Sequence, residues 1–397
     1  MGGPGRPDEG VSIEAEKGNG NYMNDPASAV DGRLGRLAER GVSIWLDSIS
    51  RDRLAGGGLA ELARDSHVVG VTTNPSVFEQ ALASSTAYDD QIRDLALRNA
   101  SVDEAARLIT ARDVRWACDI LEPNCTATDG RDGRVSIEVT PLAAHDTAQT
   151  IAEARALWWL VDRPNAMIKI PATDAGLAAI TAATAEGISV NVTLIFDVGR
   201  YDKVLDAYLT GLEQASKAGY DLSAIRSVAS FFVSWIDTAT DALLKSIDSA
   251  AALALRGRVG LANAQLAYRH FTEVLDSPRW KALAGNGAHP QRPLWASTSV
   301  KNRAYPDTLY VENLIAAETV NTMTEPTLRA FNDHGTVDAA SITGQFAEAE
   351  DVLHALSDLG IDYRLVAGQL ERNGIGEFSD AWYRLLTHLQ RSMYALR

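Results

Sequence analysis

The chain of 397 residues is poor in cysteine, in long apolar runs and in metal-binding histidine patterns, and each shortage removes a class of protein. Two cysteines, Cys118 and Cys125, supply no disulfide framework and none of the paired spacings of a zinc site. That usage fits a reducing, cytoplasmic setting. The longest apolar stretches, such as Ile188 to Phe196, fall far short of the ~20 residues a membrane-crossing helix needs. None of the seven histidines stands in an H-x-x-x-H or similar spacing, so no metal site is expected. Basic residues are outnumbered as well: 37 Lys and Arg against 52 Asp and Glu give a formal net charge of -15, which repels nucleic acid and anionic membranes. An anionic substrate therefore needs a local basic cluster set against the global field.

What is present reads as one large α/β unit. Residues 1–30 are rich in Gly, Asn and acids and carry neither a basic n-region nor an apolar h-region, so they read as a disordered tail and not an export signal. From 31 to 336, short runs rich in Val, Ile and aromatics alternate with longer amphipathic or Ala-rich stretches, the pattern of parallel strands joined by crossover helices. The candidate strands are Val42–Asp47, Val68–Thr72, Val135–Thr140, Ala166–Ile170, Ile188–Leu194, Ser227–Val233, Leu294–Ser299 and Thr319–Thr322. Eight such strands favour a closed (β/α)8 TIM barrel over an open doubly wound sheet. Residues 337–397 read as a helical extension packed on the barrel, structural in role, with Phe378, Trp382, Leu385, Leu386 and Leu389 on one apolar face. Asn124–Arg134 and Gly56–Gly58 read as turns, since neither follows a strand as a phosphate-cradling loop does.

The polar residues carry the stronger argument. Strands covered on both faces should be apolar, yet Asp47, Asn74, Glu138, Lys169, Asn191 and Thr193 stand at or near the C-terminal ends of these. In a barrel those ends share one mouth. Lys169 lies inside the apolar run Ala166–Ile170, where burial either yields a neutral, nucleophilic amine or requires a partner such as Glu138 to hold it charged. Asn191 and Thr193, two apart, project from one face of their strand. Taken alone, Asn74 reads as a helix cap.

The strings G-V-T-T-N-P-S, V-S-I-E-V, I-K-I-P-A-T, I-S-V-N-V-T-L-I-F, A-S-F-F-V-S and L-W-A-S-T-S-V-K-N occur in that order, and from about Gly41 to the C-terminus the chain resembles the transaldolases, most closely the long actinobacterial form. The resemblance implies a transferase that moves a dihydroxyacetone unit from a ketose or ketose phosphate to an aldehyde. Lys169 would be the Schiff-base lysine and Asp47 the general acid/base. Glu138 with Thr193 would handle the water and protons of carbinolamine chemistry. Asn74 and Asn191 would orient the dihydroxyacetone hydroxyls, Ser230, Trp235 and Ser299 would contact the substrate, and Lys301 would be a basic residue toward its phosphate. The implied partners are small sugars or sugar phosphates, with neither cofactor nor metal, and nothing separates a monomer from a homodimer. The joint presence of Lys169, Asp47 and Glu138 speaks against a barrel that merely binds sugars.

Two positions depart from the family pattern. Trp235 stands where a phosphate-binding arginine usually follows A-S-F-F-V-S, and Thr140-Pro-Leu142 replaces a D-x-R that usually follows the glutamate. An indole offers a flat apolar face and one donor in place of bidentate phosphate recognition. Either Lys301 or Arg303 compensates, or the enzyme is specialised for a different, unphosphorylated or aromatic substrate.

Overall fold

The computed structural model describes residues 1, 32–337 and 341–396; the expected tail over residues 1–30 lies, apart from Met1, outside them. Eight parallel strands close into a barrel in sequential order: β1 (Val42–Leu46), β2 (Val68–Val71), β3 (Arg134–Glu138), β4 (Ala166–Pro171), β5 (Val190–Ile195), β6 (Ser227–Phe232), β7 (Gln291–Ala296) and β8 (Thr319–Met323). Closure comes from β1 pairing with both β2 and β8, which leaves no exposed sheet edge. Among the described residues, no helix is long and apolar enough to cross a membrane.

Alternation along each strand sorts the side chains between two environments. Ile44, Leu46, Ile137, Ile168, Ile170, Val190 and Val192 are buried, the outward ones against the surrounding helices. Each contributes roughly 1.5–3 kcal/mol of burial free energy. The interior is more polar than the apolar character of the strands suggests. Ser43 accepts a hydrogen bond from Arg292 Nη1 (2.7 Å) and Asp47 accepts one from Thr72 Oγ1 (2.8 Å), so Ser43, Trp45 and Asp47 share the inward face of β1. The Trp45 indole fills the middle of the barrel. Gly70 on β2 makes that possible, because a Cβ there would fall 2.4 Å from the ring.

Helices start directly after the strands because the strand-end residues cap them. Asn74 Oδ1 accepts from the Val77 amide (3.0 Å), Thr173 Oγ1 from Gly176 (2.9 Å) and Asp197 Oδ1 from Arg200 (2.9 Å).

Several elements differ from expectation at their ends. β7 begins at Gln291, three residues early, because Pro293 reads as a strand breaker yet sits in register opposite Ala229; pairing with β8 is confined to Leu294 and Trp295, beyond the proline's missing N–H. The turn expected over Asn124–Arg134 is shorter at both ends. The helix Val102–Ala127 runs through Pro123, and Arg134 already belongs to β3. The C-terminal helix Tyr363–Ala395 buries Phe378, Trp382, Leu385 and Leu389, with Leu386 only partly covered.

A buried ion pair fixes the chain after β1. Arg51 donates from Nε and Nη2 to Asp113 Oδ1 (2.9 and 2.7 Å), while Tyr88 OH donates to Asp113 Oδ2 (2.9 Å) and accepts from the Arg51 amide (3.0 Å). The Arg51 guanidinium also lies 4.3 Å from the Tyr88 ring centroid. Truncation of Asp113 leaves a cation stranded in a dry environment. Asp113→Ala is therefore expected to lower stability by about 3–5 kcal/mol, read from the midpoint of urea unfolding, while Arg51→Met combined with Asp113→Leu costs far less. Equal losses in the two proteins would show that the ion pair is not the source.

Candidate active site

At the C-terminal ends of the strands lies a cavity of about 200 Å³, whose wall includes Asp47, Asn74, Lys169, Thr193, Ser230 and Lys301. Lys169, only 4% exposed, reaches it from β4. Its Nζ donates to the Thr73 carbonyl (3.0 Å) and to Glu138 Oε2 (3.1 Å). Register explains the second contact: Glu138 on β3 and Lys169 on β4 are direct partners in the ladder and face inward together. Of the two alternatives for Lys169, the structure shows the Glu138 contact that a partner-held charge requires. Burial pushes the Glu138 carboxyl above the usual carboxylate range, with the Lys169 charge acting against that shift and Asp47 adding to it. Burial likewise raises Asp47, opposed by Lys169, the Thr72 hydroxyl and Lys301. Both carboxyls therefore hold their protons to higher pH than free acids do.

The remaining expected residues fall into two layers. Asn74, Thr193, Ser230, Trp235, Ser299 and Lys301 all line the cavity. Asn191 lies one layer below, where its Nδ2 donates to Ser136 Oγ (2.9 Å) and its Oδ1 accepts from Ser230 Oγ (2.7 Å); it therefore sets the Ser230 hydroxyl and does not face the cavity. Ser299 Oγ is shared with Thr324 and Thr327. Glu138 touches the site only through Lys169, and its Oε1, like Thr193 Oγ1, has no partner among the described residues. β5 breaks register between Val192 and Ile195, with Leu194 at φ 58°. A leucine held in the left-handed region costs on the order of 1–3 kcal/mol, and it interrupts the pairing with β6, which resumes at Ile195 opposite Phe231.

Several lining residues escaped the sequence reading. Thr72 and Thr322, whose hydroxyls lie 2.7 Å apart, steady Asp47 from the two neighbouring strands. Thr72 lay within a motif already singled out, two residues before Asn74. Phe232, Ser297, Thr298 and Thr324 follow from strand ends as a class. Phe378 and Glu377 did not: the C-terminal extension, read as structural, sends both into the wall, and the Phe378 ring centroid lies 5.5 Å from Lys169 Nζ. No strand-end rule points to a helix from the other end of the chain.

Trp235, partly buried, stacks on Phe196 (centroids 5.9 Å, planes at 28°) and meets Phe232 edge-on (5.5 Å, 74°). Asp237, two residues on, holds the same helix in place by accepting from the Gly260 amide (2.8 Å) and Tyr310 OH (2.9 Å). Gly374 lets the C-terminal helix close in, since a Cβ there would lie 2.9 Å from Leu194 Cδ2 and 3.4 Å from the indole. The cations in the wall are Lys169 and Lys301, with Glu377 nearby; Arg303 and Leu142 are not part of it.

Residues 44–389 match the family described as Transaldolase/Fructose-6-phosphate aldolase. A protein of Acidothermus cellulolyticus named Transaldolase is 57% identical over 375 residues, 94% of this chain and 99% of its own. Two Streptomyces coelicolor proteins, named Transaldolase 1 and Transaldolase 2, are 56% and 53% identical over 367 and 363 residues, covering 92% and 91% of this chain and 96% and 98% of theirs. With a closed barrel, a buried lysine beside two carboxyls at its mouth and identity running nearly the full length, the chain belongs to the transaldolase/fructose-6-phosphate aldolase family.

Proposed function

We propose that this protein is a transaldolase that carries a three-carbon dihydroxyacetone unit from a ketose phosphate to an aldehyde, with Lys169 as the covalent nucleophile. The observation that carries the reading is the buried Lys169 amine, 3.1 Å from Glu138 and open to the cavity that Asp47 also lines. Attack of Nζ on the ketose carbonyl forms a carbinolamine. Glu138, raised by burial, takes the ammonium proton before attack and returns a proton to the departing hydroxyl, so that water leaves and an iminium forms. Its Oε1 and the Thr193 hydroxyl are both available to a water that relays those protons. Asp47 then removes the proton of the C4 hydroxyl. The C3–C4 bond breaks, its electron pair flows into the iminium, and an aldehyde leaves while the enamine stays on Lys169. In the second half an incoming aldehyde accepts the enamine carbon, Asp47 returns the proton to the new alkoxide, and water releases the product. Asn74 and Ser230, the latter set by Asn191, offer polar contacts to the hydroxyls of the three-carbon unit. The two cysteines, both free, accord with a reducing cytoplasmic setting.

Borohydride added with a ketose donor should reduce the iminium and place a covalent label on Lys169, found by mass spectrometry of the digested protein. A label on another lysine, or none with any ketose tried, defeats the assignment.

The raised carboxyls give the pH dependence a sign. A group with a raised pKa stays protonated to higher pH, so the acidic limb of kcat/KM should lie above the ~4 of ordinary carboxylates. Glu138→Gln should lower kcat by ~10²–10⁴-fold. A wild-type limb at ordinary carboxylate pH, or near-normal turnover in the variant, contradicts the proton-transfer role.

The aromatic wall favours a second reading of the substrate. With Trp235 stacked on Phe196 and the Lys301 ammonium as the outer cation, a distal phosphate meets one charge where a bidentate guanidinium would offer two parallel bonds. We propose a transaldolase whose donor or acceptor is less phosphate-dependent than usual. Trp235→Arg should raise kcat/KM for a phosphorylated ketose ~10-fold, and steady-state kinetics with phosphorylated and unphosphorylated ketoses side by side would show it. Wild-type turnover of the phosphosugar that the arginine leaves unimproved would remove this reading and leave the first intact.

A further inference from the structure

The opposite mouth of the barrel holds a second cavity, of about 280 Å³, at the N-terminal ends of β3, β6 and β7. In a chain of net charge -15, its wall carries four arginines, Arg131, Arg134, Arg226 and Arg292, with His289, against the carboxylates of Asp129 and Glu318. Three of those guanidinium-bearing residues are more than nine-tenths buried: Arg134 is 3%, Arg226 7% and Arg292 5% exposed. Arg131 meets Glu318 (3.2 Å) and Arg292 meets Asp132 (3.1 Å). Among the described residues Arg134 and Arg226 meet no carboxylate; they donate to backbone carbonyls, Arg134 to Gly130 and Pro164 (2.7 and 2.9 Å), Arg226 to Asp129 (2.5 Å), Ile225 (3.3 Å) and Ser223. The Nε atoms of Arg226 and Arg131 are buried with no partner.

A purely structural role explains the carbonyl contacts but not the clustering. Guanidiniums remain protonated at neutral pH, so burying Arg134 and Arg226 without a carboxylate partner beside the paired Arg131 and Arg292 is costly unless an anion completes the site. Burial first, and then Arg226 and Arg292, push Arg134 down to about 10, which still leaves it charged at neutral pH. Planar guanidiniums converging on one hollow match a tetrahedral oxyanion, and the volume exceeds the ~30 Å³ share of a single water several-fold.

We propose that this cavity is a binding site for a phosphate dianion, either free or as the head of a small phosphate monoester, separate from the catalytic mouth. Trp45 stands in the barrel between the two openings, and the strands connect them: Met167 faces this cavity and Lys169 the catalytic one, two residues along β4.

The test follows thermal unfolding of the full chain against inorganic phosphate, glycerol 3-phosphate, and sodium chloride at matched ionic strength, in wild type and in Arg226→Gln, Arg131→Gln and Lys301→Gln. The expected result is a saturable rise in Tm with a phosphate species and none with chloride. That response should persist in Lys301→Gln, weaken ~10-fold or more in apparent affinity in Arg131→Gln, and vanish in Arg226→Gln. A response to glycerol 3-phosphate at clearly lower concentration than to phosphate identifies the monoester as ligand, and equal responses identify the free ion. No saturable effect beyond that of chloride overturns the proposal. So does an effect lost in Lys301→Gln and kept in both arginine variants. Should Arg226→Gln fail to fold, Arg131→Gln decides alone, because its side chain is 40% exposed and its removal leaves the buried cluster in place.

Discussion

The pairing of Glu138 with Lys169 is the contact on which the mouth at the C-terminal strand ends depends. Neither group could be buried alone without a penalty of several kcal/mol, and their direct registry on β3 and β4 makes each the other's counter-charge. Burial raises the Glu138 carboxyl, and the Lys169 charge beside it acts against that shift. The pair is held in place by two adjacent strands of the closed barrel. Thr72 and Thr322 play the corresponding part for Asp47, and Asn191 for Ser230.

That scaffold is closed by geometry more than by apolar mass alone. The inward face carries Ser43, Ser136, Asn191, Ser230 and Thr322 hydrogen-bonded in cross-strand pairs, so these buried polar groups are matched. Trp45, admitted by Gly70, divides the interior. One mouth collects acids, hydroxyls and two lysines; the other collects arginines. A chain with a strong acidic excess has placed its densest buried positive charge at the end away from the proposed chemistry.

The sequence was legible wherever one strand carried its own evidence. Lys169 inside an apolar run, Asn191 and Thr193 two apart, and Asp47 closing β1 could be read without coordinates, because side-chain alternation needs only spacing. Strand limits were less legible. Pro293 hid the first half of β7, since a proline argues against a strand unless the neighbouring ladder tolerates its missing N–H. Pro123 likewise hid the last turn of its helix.

By itself, then, the amino-acid order determined the alternation of strands and helices, the polar strand ends, and a set of motifs specific enough to name the family. Tertiary structure alone decided which of those ends touch. It placed Asn191 beneath Ser230 and not in the cavity, brought Phe378 and Glu377 from the last helix to the wall, and stacked Trp235 on Phe196. It also gathered Arg131, Arg134, Arg226 and Arg292, scattered over some 160 positions, around one hollow. The reason is physical: spacing along a strand sets the face on which a side chain emerges, whereas the neighbour it meets depends on barrel closure and register, which bring together residues far apart in the chain.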